Sequence, residues 1–227
     1  MTKIALISDI HSNLEAFKAV LNEIKKAKIR KIFCLGDIVG YGSSPNECIA
    51  LIRKNKIKSV MGNHDCEAIN LQSAEWFNQV ARDAILWTHK QLTEANKKFL
   101  KSLPTHLKFE NIFMVHGSPR DYIYEYIFPD TDESDFREFF AITKKQVLAI
   151  GHLHTQFIKK FNNKLIINPG SVGQPRDLNP KAAFCLFDTK TLKVDLKRIK
   201  YNIDKAANKI FKAGLPKFLA DRLYLGG

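Results

Sequence analysis

Short apolar segments that alternate with amphipathic helical segments are the feature that most restricts the fold of this chain. Apolar residues recur at strand or helix spacing in five successive segments: strands at residues 3–8, 31–35 and 57–61, and helices at 13–28 and 44–54. Ser44 and Pro45 supply a helix cap and a helix start for the second helix. Such alternation indicates βαβ units and a parallel sheet, and the third strand is expected to end in a loop at residues 61–66.

The pattern changes in the middle of the chain. Residues 73–102 are helical in spacing, and Pro104 ends this helical segment. Strand-like runs then follow at 106–109, 112–115, 147–150, 157–161, 165–167, 183–187 and 192–199, with a helix at 133–140. We expect a second, largely antiparallel sheet or an extension of the first. No low-complexity linker intervenes, so the sequence predicts one α/β domain over residues 1–227.

Composition agrees with a globular domain that has a large core. The chain has 227 residues, of which 45% are hydrophobic, and a net charge of +13. Residues 190–227 form a basic C-terminal tail with ten lysines and arginines against three aspartates. A basic surface attracts anionic substrates. Without an aromatic-rich stacking segment it is weak evidence for nucleic acid as a partner.

Cysteine spacing and hydropathy bear on the location of the protein. Cys34, Cys48, Cys66 and Cys185 show no C-x-x-C spacing, which favours reduced thiols over a zinc site or disulfides. No apolar run reaches the roughly 20 residues of a membrane helix, and residues 3–8 do not have the features of a signal peptide. We therefore expect a cytoplasmic protein with no membrane partner.

Five of the predicted strands end in residue types that bind metals, and four of these exits carry a glycine. The candidates in chain order are Asp9, His11, Asp37, Asn63, His116, His152 and His154. In open α/β sheets ligands bind at the carboxyl ends of the strands, where glycine permits tight turns. Any one of these residues is common by chance, but their ordered occurrence at strand ends predicts a site.

Seven candidate ligands are more than one ion needs. Two divalent ions about 3.5 to 4 Å apart that share one carboxylate would use all of them, in an arrangement suited to a phosphoryl group. Mixed nitrogen and oxygen ligands without a thiolate suit Mn, Fe, Ni, Co or Zn.

The ordered motifs D-x-H, G-D, G-N-H, H-G and G-H-x-H, over about residues 4–173, resemble those of the calcineurin-like metallophosphoesterase superfamily. Residues 36–42, GDIVGYG, and 168–176, NPGSVGQPR, are similar to segments of its small bacterial and archaeal predicted phosphodiesterases. The resemblance implies an αββα sandwich of two sheets flanked by helices, with a dinuclear metal centre at the strand ends.

The resemblance also implies a role for each motif residue. Asp9, His11, Asp37 and His154 would hold the first ion, and Asp37, Asn63, His116 and His152 the second. His64 matches the catalytic histidine that acts on the leaving oxygen, whereas Asp65 matches no ligand and is expected to shape the turn. The chain lacks the phosphate-clamping arginine that the protein phosphatases carry in G-D-x-V-D-R-G, so Ser/Thr phosphatase activity is not expected.

Other residues have two interpretations each. Asn13 either contacts phosphate or belongs to the first turn of the helix, and Arg176 either reaches the substrate or faces solvent. Tyr41 either stacks on a base or sugar or closes its loop. Trp76 and Trp87 belong either to the core, which is the favoured interpretation, or to a pocket wall.

The expected activity is hydrolysis of a phosphodiester in a small, nucleotide-like substrate, by attack of a hydroxide that bridges the two ions. A phosphomonoesterase or a nuclease with the same centre are alternatives. Nucleic acid is not favoured as the substrate, because nuclease relatives generally carry an additional capping domain. A catalytically silent scaffold is less consistent with a chain that keeps all seven ligands and His64. The sequence does not indicate the oligomeric state.

Overall fold

Two five-stranded sheets lie face to face between helices in the computed structural model, which describes residues 3–72 and 74–227. The strands are β1 Lys3–Ile7, β2 Lys31–Cys34, β3 Lys58–Ser59, β4 His106–Phe109, β5 Ile112–Val115, β6 Val147–Ala149, β7 Gln156–Phe161, β8 Lys164–Pro169, β9 Ala182–Asp188 and β10 Val194–Ile199. The helices are α1 Leu14–Lys26, α2 Pro45–Lys54, α3 Asn63–Asn70, α4 Gln79–Gln91, α5 Glu94–Lys101, α6 Glu133–Thr143, α7 Ile203–Lys212 and α8 Lys217–Leu225, and a 3-10 turn, Ala74–Trp76, precedes α4. None of these helices is long and apolar enough to cross a membrane.

Both sheets are mixed. The first has the order β10-β9-β1-β2-β3, in which β1, β2 and β3 are parallel, β9 is antiparallel to β1, and β10 is antiparallel to β9. The second has the order β4-β5-β6-β8-β7, in which β5, β6 and β8 are parallel and only the edge strands β4 and β7 are antiparallel. The prediction of a largely antiparallel second sheet is therefore wrong at its centre. The reason is that α6 supplies the crossover that the parallel pair β5 and β6 needs.

Alternation along the strands divides the core into layers. In β1, Ala5 and Ile7 lie on the face of the sheet that α1 and α2 cover, whereas Ile4 and Leu6 lie on the opposite face and pack between the two sheets. On the outer face of the second sheet, Phe136 of α6 lies in a separate apolar cluster. The layer order is helix, sheet, sheet, helix, which confirms the predicted αββα sandwich.

The basic C-terminal tail is folded onto the rest of the chain. Ile210 of α7 and Leu219 and Leu223 of α8 are buried in one apolar cluster with residues of α4. Trp87 packs against the same cluster, as expected for a core residue. Trp76 does not belong to the core, because it is 80% exposed.

We expect Ile210→Ala to lower the free energy of unfolding by about 2 to 4 kcal/mol, because it leaves a cavity in the cluster that joins the tail to α4. Phe211→Ala, one position along α7 at a side chain that is 45% exposed, should cost under about 1 kcal/mol. Urea unfolding of both variants measures the difference. Equal effects would show that the tail does not pack as described.

Candidate metal centre

The seven candidate ligands lie together at one edge of the sandwich, where strands of both sheets end. They follow β1, β2 and β3 in the first sheet and β5 and β6 in the second: Asp9, His11, Asp37, Asn63, His116, His152 and His154. Each is buried, with at most 5% of its surface exposed. Parallel strands bring their carboxyl ends to the same edge of a sheet, and the two sheets place these edges side by side.

Asp37 links two groups of ligand atoms. The atoms of each group lie within 4.8 Å of one another, and the groups are Asp9, His11, Asp37 and His154, and Asp37, His116 and His152. Oδ1 of Asn63 is 3.0 Å from Nε2 of His116, which places the amide beside the second group. The structure thus brings together all seven residues that the sequence selected.

Backbone carbonyl groups orient all four histidine rings. The contacts are Nδ1 of His11 to O of Val39 at 3.1 Å, Nδ1 of His116 to O of Leu35 at 2.7 Å, Nδ1 of His154 to O of Gln174 at 2.6 Å, and Nε2 of His152 to O of Tyr124 at 3.1 Å. A carbonyl oxygen can only accept a hydrogen bond, so each ring donates from that nitrogen. The other nitrogen then turns its lone pair toward the centre, as in metal-binding histidines.

When the rings are neutral, the atoms that face the centre are therefore hydrogen-bond acceptors. Nε2 of His11 and Nε2 of His154 are 2.9 Å apart, and Nε2 of His116 and Nδ1 of His152 are 3.2 Å apart. Both carboxylate oxygens of Asp9 are buried without a hydrogen-bond partner in the described part of the chain. Facing lone pairs and buried carboxylates are unfavourable unless a cation lies among them. The donor set fits borderline divalent ions such as Mn, Fe, Ni, Co or Zn.

The pKa values of Asp37 and His116 also indicate that this site favours positive charge. Burial raises the pKa of the Asp37 carboxyl, but His116 and His64 outweigh this and hold it well below its usual value. Burial opposes protonation of His116, yet Asp37 raises the pKa of that ring to about 9. The centre keeps its carboxylates ionised and stabilises a cation beside them.

Strained backbone is concentrated at this centre. Five of the candidate ligands have a left-handed conformation, with φ values of 53° at Asp9, 46° at His11, 53° at Asp37, 68° at His152 and 63° at His154. For residues other than glycine this conformation costs on the order of 1 to 3 kcal/mol each. These turns direct successive side chains toward one point. The packing of the surrounding residues offsets the strain.

Asp65 supports the candidate ligands through hydrogen bonds to the backbone beside them. Its Oδ1 accepts hydrogen bonds from the backbone N–H groups of Ile38 (2.9 Å) and Val39 (3.0 Å), and its Oδ2 accepts one from Gly62 (3.1 Å). The carbonyl oxygen of Val39 in turn accepts a hydrogen bond from Nδ1 of His11. Asp65 therefore shapes the turn, as expected, and connects the loop after β2 to the start of α3.

The segment expected to be a loop at residues 61–66 instead begins α3 at Asn63. The backbone N–H of His64 donates to Oδ1 of Asp37 at 2.9 Å. A Cβ on Gly62 would lie 2.1 Å from the same carboxylate oxygen, so only glycine permits this approach. Local sequence does not reveal this helix, because its start depends on the carboxylate of Asp37, which lies in the loop after β2.

His64 faces an open cleft of about 750 Å³ beside the centre. Its ring lies 4.4 Å from the ring of Tyr41 and 5.1 Å from that of Phe77, and its buried Nδ1 has no hydrogen-bond partner among the described residues. Burial and Arg176 outweigh Asp37 and lower the pKa of His64 to about 4. Neither group of ligand atoms includes His64.

Asn13 lies outside this cleft. Its Oδ1 accepts from the backbone N–H of Ala16 (3.1 Å), and its Nδ2 donates to the carbonyl of Gly173 (2.9 Å) and to Tyr201 (3.3 Å). Asn13 is therefore the N-cap of α1, and the geometry favours this interpretation over a contact with phosphate.

Arg176 and Tyr41 both line the cleft. Nη2 of Arg176 donates to the Tyr41 hydroxyl (3.2 Å) and to Oε1 of Gln174 (3.0 Å). Arg176 therefore borders the cleft and not bulk solvent, whereas the ring of Tyr41 is buried against His11 and His64, as its loop-closing interpretation expects.

Several residues of the site were not selected from the sequence. Gln174, whose carbonyl orients His154, belongs to the quoted segment 168–176, so its motif was a usable signal. The ring of Tyr126 stacks on His152 at 3.7 Å, and Arg222 of α8 reaches the cleft. Neither Tyr126 nor Arg222 lies in a recognisable motif.

Comparison with known proteins gives consistent matches over most of the chain. The sequence model of the calcineurin-like phosphoesterase superfamily domain matches residues 2–192. An uncharacterized protein of Methanocaldococcus jannaschii is 44% identical over 98% of this chain and 98% of its own. Phosphodiesterase YfcE of Escherichia coli is 24% identical over 86% of this chain and 91% of its own. The crystal structure of a metallophosphoesterase from Sphaerobacter thermophilus covers 99% of this chain and 100% of its own, with a TM-score of 0.85 and 34% identity.

We expect Asp65→Ala to weaken divalent metal binding about 10- to 100-fold although Asp65 is not a candidate ligand, because the backbone that supports Asp37 and His11 loses its acceptor. Metal retained after dialysis, measured by mass spectrometry, gives the result.

Asp188→Ala is the matched control. Asp188 is also buried and accepts from two backbone N–H groups, at Lys190 and Thr191, but it lies outside both ligand groups. If the two variants lose metal equally, the effect of Asp65 reflects general stability and not support of the centre.

Proposed function

The chain belongs to the calcineurin-like phosphoesterase superfamily, and from this premise we propose that it is a phosphodiesterase with a centre of two divalent ions. One observation carries the proposal: acceptor atoms from both sheets converge in two groups that share the carboxylate of Asp37. A shared carboxylate between two groups is the arrangement that two adjacent ions require.

In this proposal each group holds one ion. The first ion is held by Asp9, His11, Asp37 and His154, and the second by Asp37, Asn63, His116 and His152. When bound, two divalent ions supply the positive charge that stabilises phosphoryl oxygens and acidifies water. The two aspartates cannot balance about four units of metal charge, so the site attracts anionic esters.

His64 is the proposed catalytic residue of this chain. Its ring lies 4.9 Å from that of His11 and faces the cleft without belonging to either ligand group. The hydrogen bond from its backbone to Asp37 and the contacts with Tyr41 and Phe77 hold the ring in place. Because burial lowers its pKa to about 4, the imidazole is neutral at pH 7, and from this position its N–H donates a hydrogen bond to the leaving oxygen.

The cleft supports a small, nucleotide-like diester as the substrate. A volume of about 750 Å³ suits a small molecule. Four exposed aromatic rings line it, with Trp76 80%, Phe218 55%, Tyr126 45% and Tyr124 37% exposed. Aromatic rings stack on nucleobases with about 1 to 3 kcal/mol per base. The name of the relative YfcE, a phosphodiesterase, agrees with a diester.

The proposal also places the protein in the cytoplasm. All four cysteines are unpaired, and Cys34, Cys48 and Cys185 are buried. Unpaired thiols suit a reducing compartment.

We expect the purified protein to hydrolyse bis-p-nitrophenyl phosphate with Mn²⁺ or Ni²⁺, and His64→Ala to lower kcat about 10²- to 10⁴-fold while both ions stay bound. The release of p-nitrophenol and the metal content measure the two effects. His106→Ala, at a histidine that stacks on Phe113 outside both ligand groups, should keep the wild-type kcat.

Two results would contradict the proposal in different ways. Loss of an ion from His64→Ala would make His64 a ligand. Protein that binds two ions but hydrolyses neither the diester nor p-nitrophenyl phosphate would be a scaffold with this fold and not an enzyme.

A further inference from the structure

Two arginines line the same cleft without a carboxylate partner among the described residues. Arg176 comes from the loop after β8 and Arg222 from α8, and both are half-buried. The other half-buried arginine among the described residues, Arg198, is paired with Asp177. The cleft therefore holds positive charge that no described carboxylate side chain neutralises.

Aromatic rings and a backbone oxygen hold the two guanidinium groups in place. Arg176 lies 5.6 Å from the centre of the Tyr41 ring, and its buried Nε has no hydrogen-bond partner in the described part of the chain. Arg222 lies 5.2 Å from the centre of the Phe218 ring, and its Nε donates to the backbone oxygen of Gly227 at 2.7 Å. The cation–π contacts orient the two side chains without an aspartate or glutamate side chain beside them.

Placing these like charges together has a cost. Burial and the charge of Arg176 lower the pKa of Arg222 to about 10, so its guanidinium still carries its charge at neutral pH. Repulsion between two partly buried cations is relieved when an anion joins them. The planar fork of each guanidinium fits two oxygens of a phosphate.

The diester group does not account for this charge. A phosphodiester carries a single negative charge, which the ions of the proposed centre already exceed. Arg222 also lies in α8, beyond the residues 2–192 that match the superfamily domain. Arg222 therefore lies outside the segment that defines the superfamily domain.

Building on the proposed function, we propose that Arg176 and Arg222 form a subsite for a second phosphate, carried by the substrate in addition to the phosphodiester that is cleaved. The preferred substrates are then nucleotide-like diesters with a further phosphate monoester. Diesters without this phosphate monoester bind only at the metal centre and do not use the subsite.

Titration calorimetry of the metal-loaded protein with two nucleotides tests the subsite. We expect thymidine 3′,5′-bisphosphate to bind about 10- to 100-fold more tightly than thymidine 5′-monophosphate, as charge-assisted hydrogen bonds to one phosphate would give. Arg222→Gln should reduce this ratio to within about threefold. Lys217→Gln, which removes an exposed cation from the same helix, should leave the ratio unchanged.

Kinetics with two matched esters gives a second readout. For the p-nitrophenyl ester of thymidine 5′-phosphate, an added 3′-phosphate should raise kcat/KM about tenfold in the wild type and in Lys217→Gln, but much less in Arg222→Gln.

The outcomes separate the subsite from the proposed function. Equal binding of the two nucleotides by the wild type, or an equal loss of preference in Lys217→Gln and Arg222→Gln, overturns the subsite, even where bis-p-nitrophenyl phosphate is hydrolysed. A clear preference for the bisphosphate in a protein that hydrolyses no ester supports the subsite and overturns the proposed phosphodiesterase. The wild-type comparison needs no variant, so it decides the matter even where Arg222→Gln does not fold.

Discussion

Mutual repulsion among buried acceptor atoms is the interaction on which the rest of this structure depends. Two carboxylates, an amide oxygen and four imidazole lone pairs point into one small volume, and the backbone carbonyls on the far side of the rings prevent them from turning away. A protein would not gain stability from such a cluster by itself. The cluster becomes favourable only with cations among its atoms, so metal binding and the stability of this edge of the sandwich are coupled.

Hydrogen bonds near the carboxyl ends of the strands offset the energetic cost of this arrangement, and some of them connect the two sheets. The carbonyl of Asp9, after β1, accepts from the Ser171 hydroxyl (2.7 Å) and from the backbone N–H of Gly173 (2.9 Å), both after β8. Within the second sheet, the backbone N–H of Gly151, after β6, donates to the carbonyl of His116, after β5, at 3.0 Å. These bonds stabilise strained turns that the local sequence alone would not maintain.

Histidine, aromatic and arginine side chains continue from the metal centre into the cleft. His64 lies between the ligand groups and the open space, with Tyr41 on one side and Phe77 on the other. Farther out, aromatic rings orient two arginines that no carboxylate of the described residues neutralises. Phe218 and Arg222 of α8 line this outer part of the cleft, and both C-terminal helices pack on α4.

The sequence by itself determined the α/β class, nearly every strand and helix, and which seven residues end the strands with metal-binding groups. These features are local: apolar periodicity, helix caps and glycine turns depend on neighbouring residues. Only the tertiary structure decided that the second sheet is parallel at its centre, that α3 begins at Asn63, that Asn13 caps a helix, and that Arg222 faces the cleft. These features depend on contacts between residues distant in sequence, such as the carboxylate of Asp65 with the loop after β2 and the packing of α8 against α4. No local pattern encodes such contacts, because they arise from how complete elements pack together.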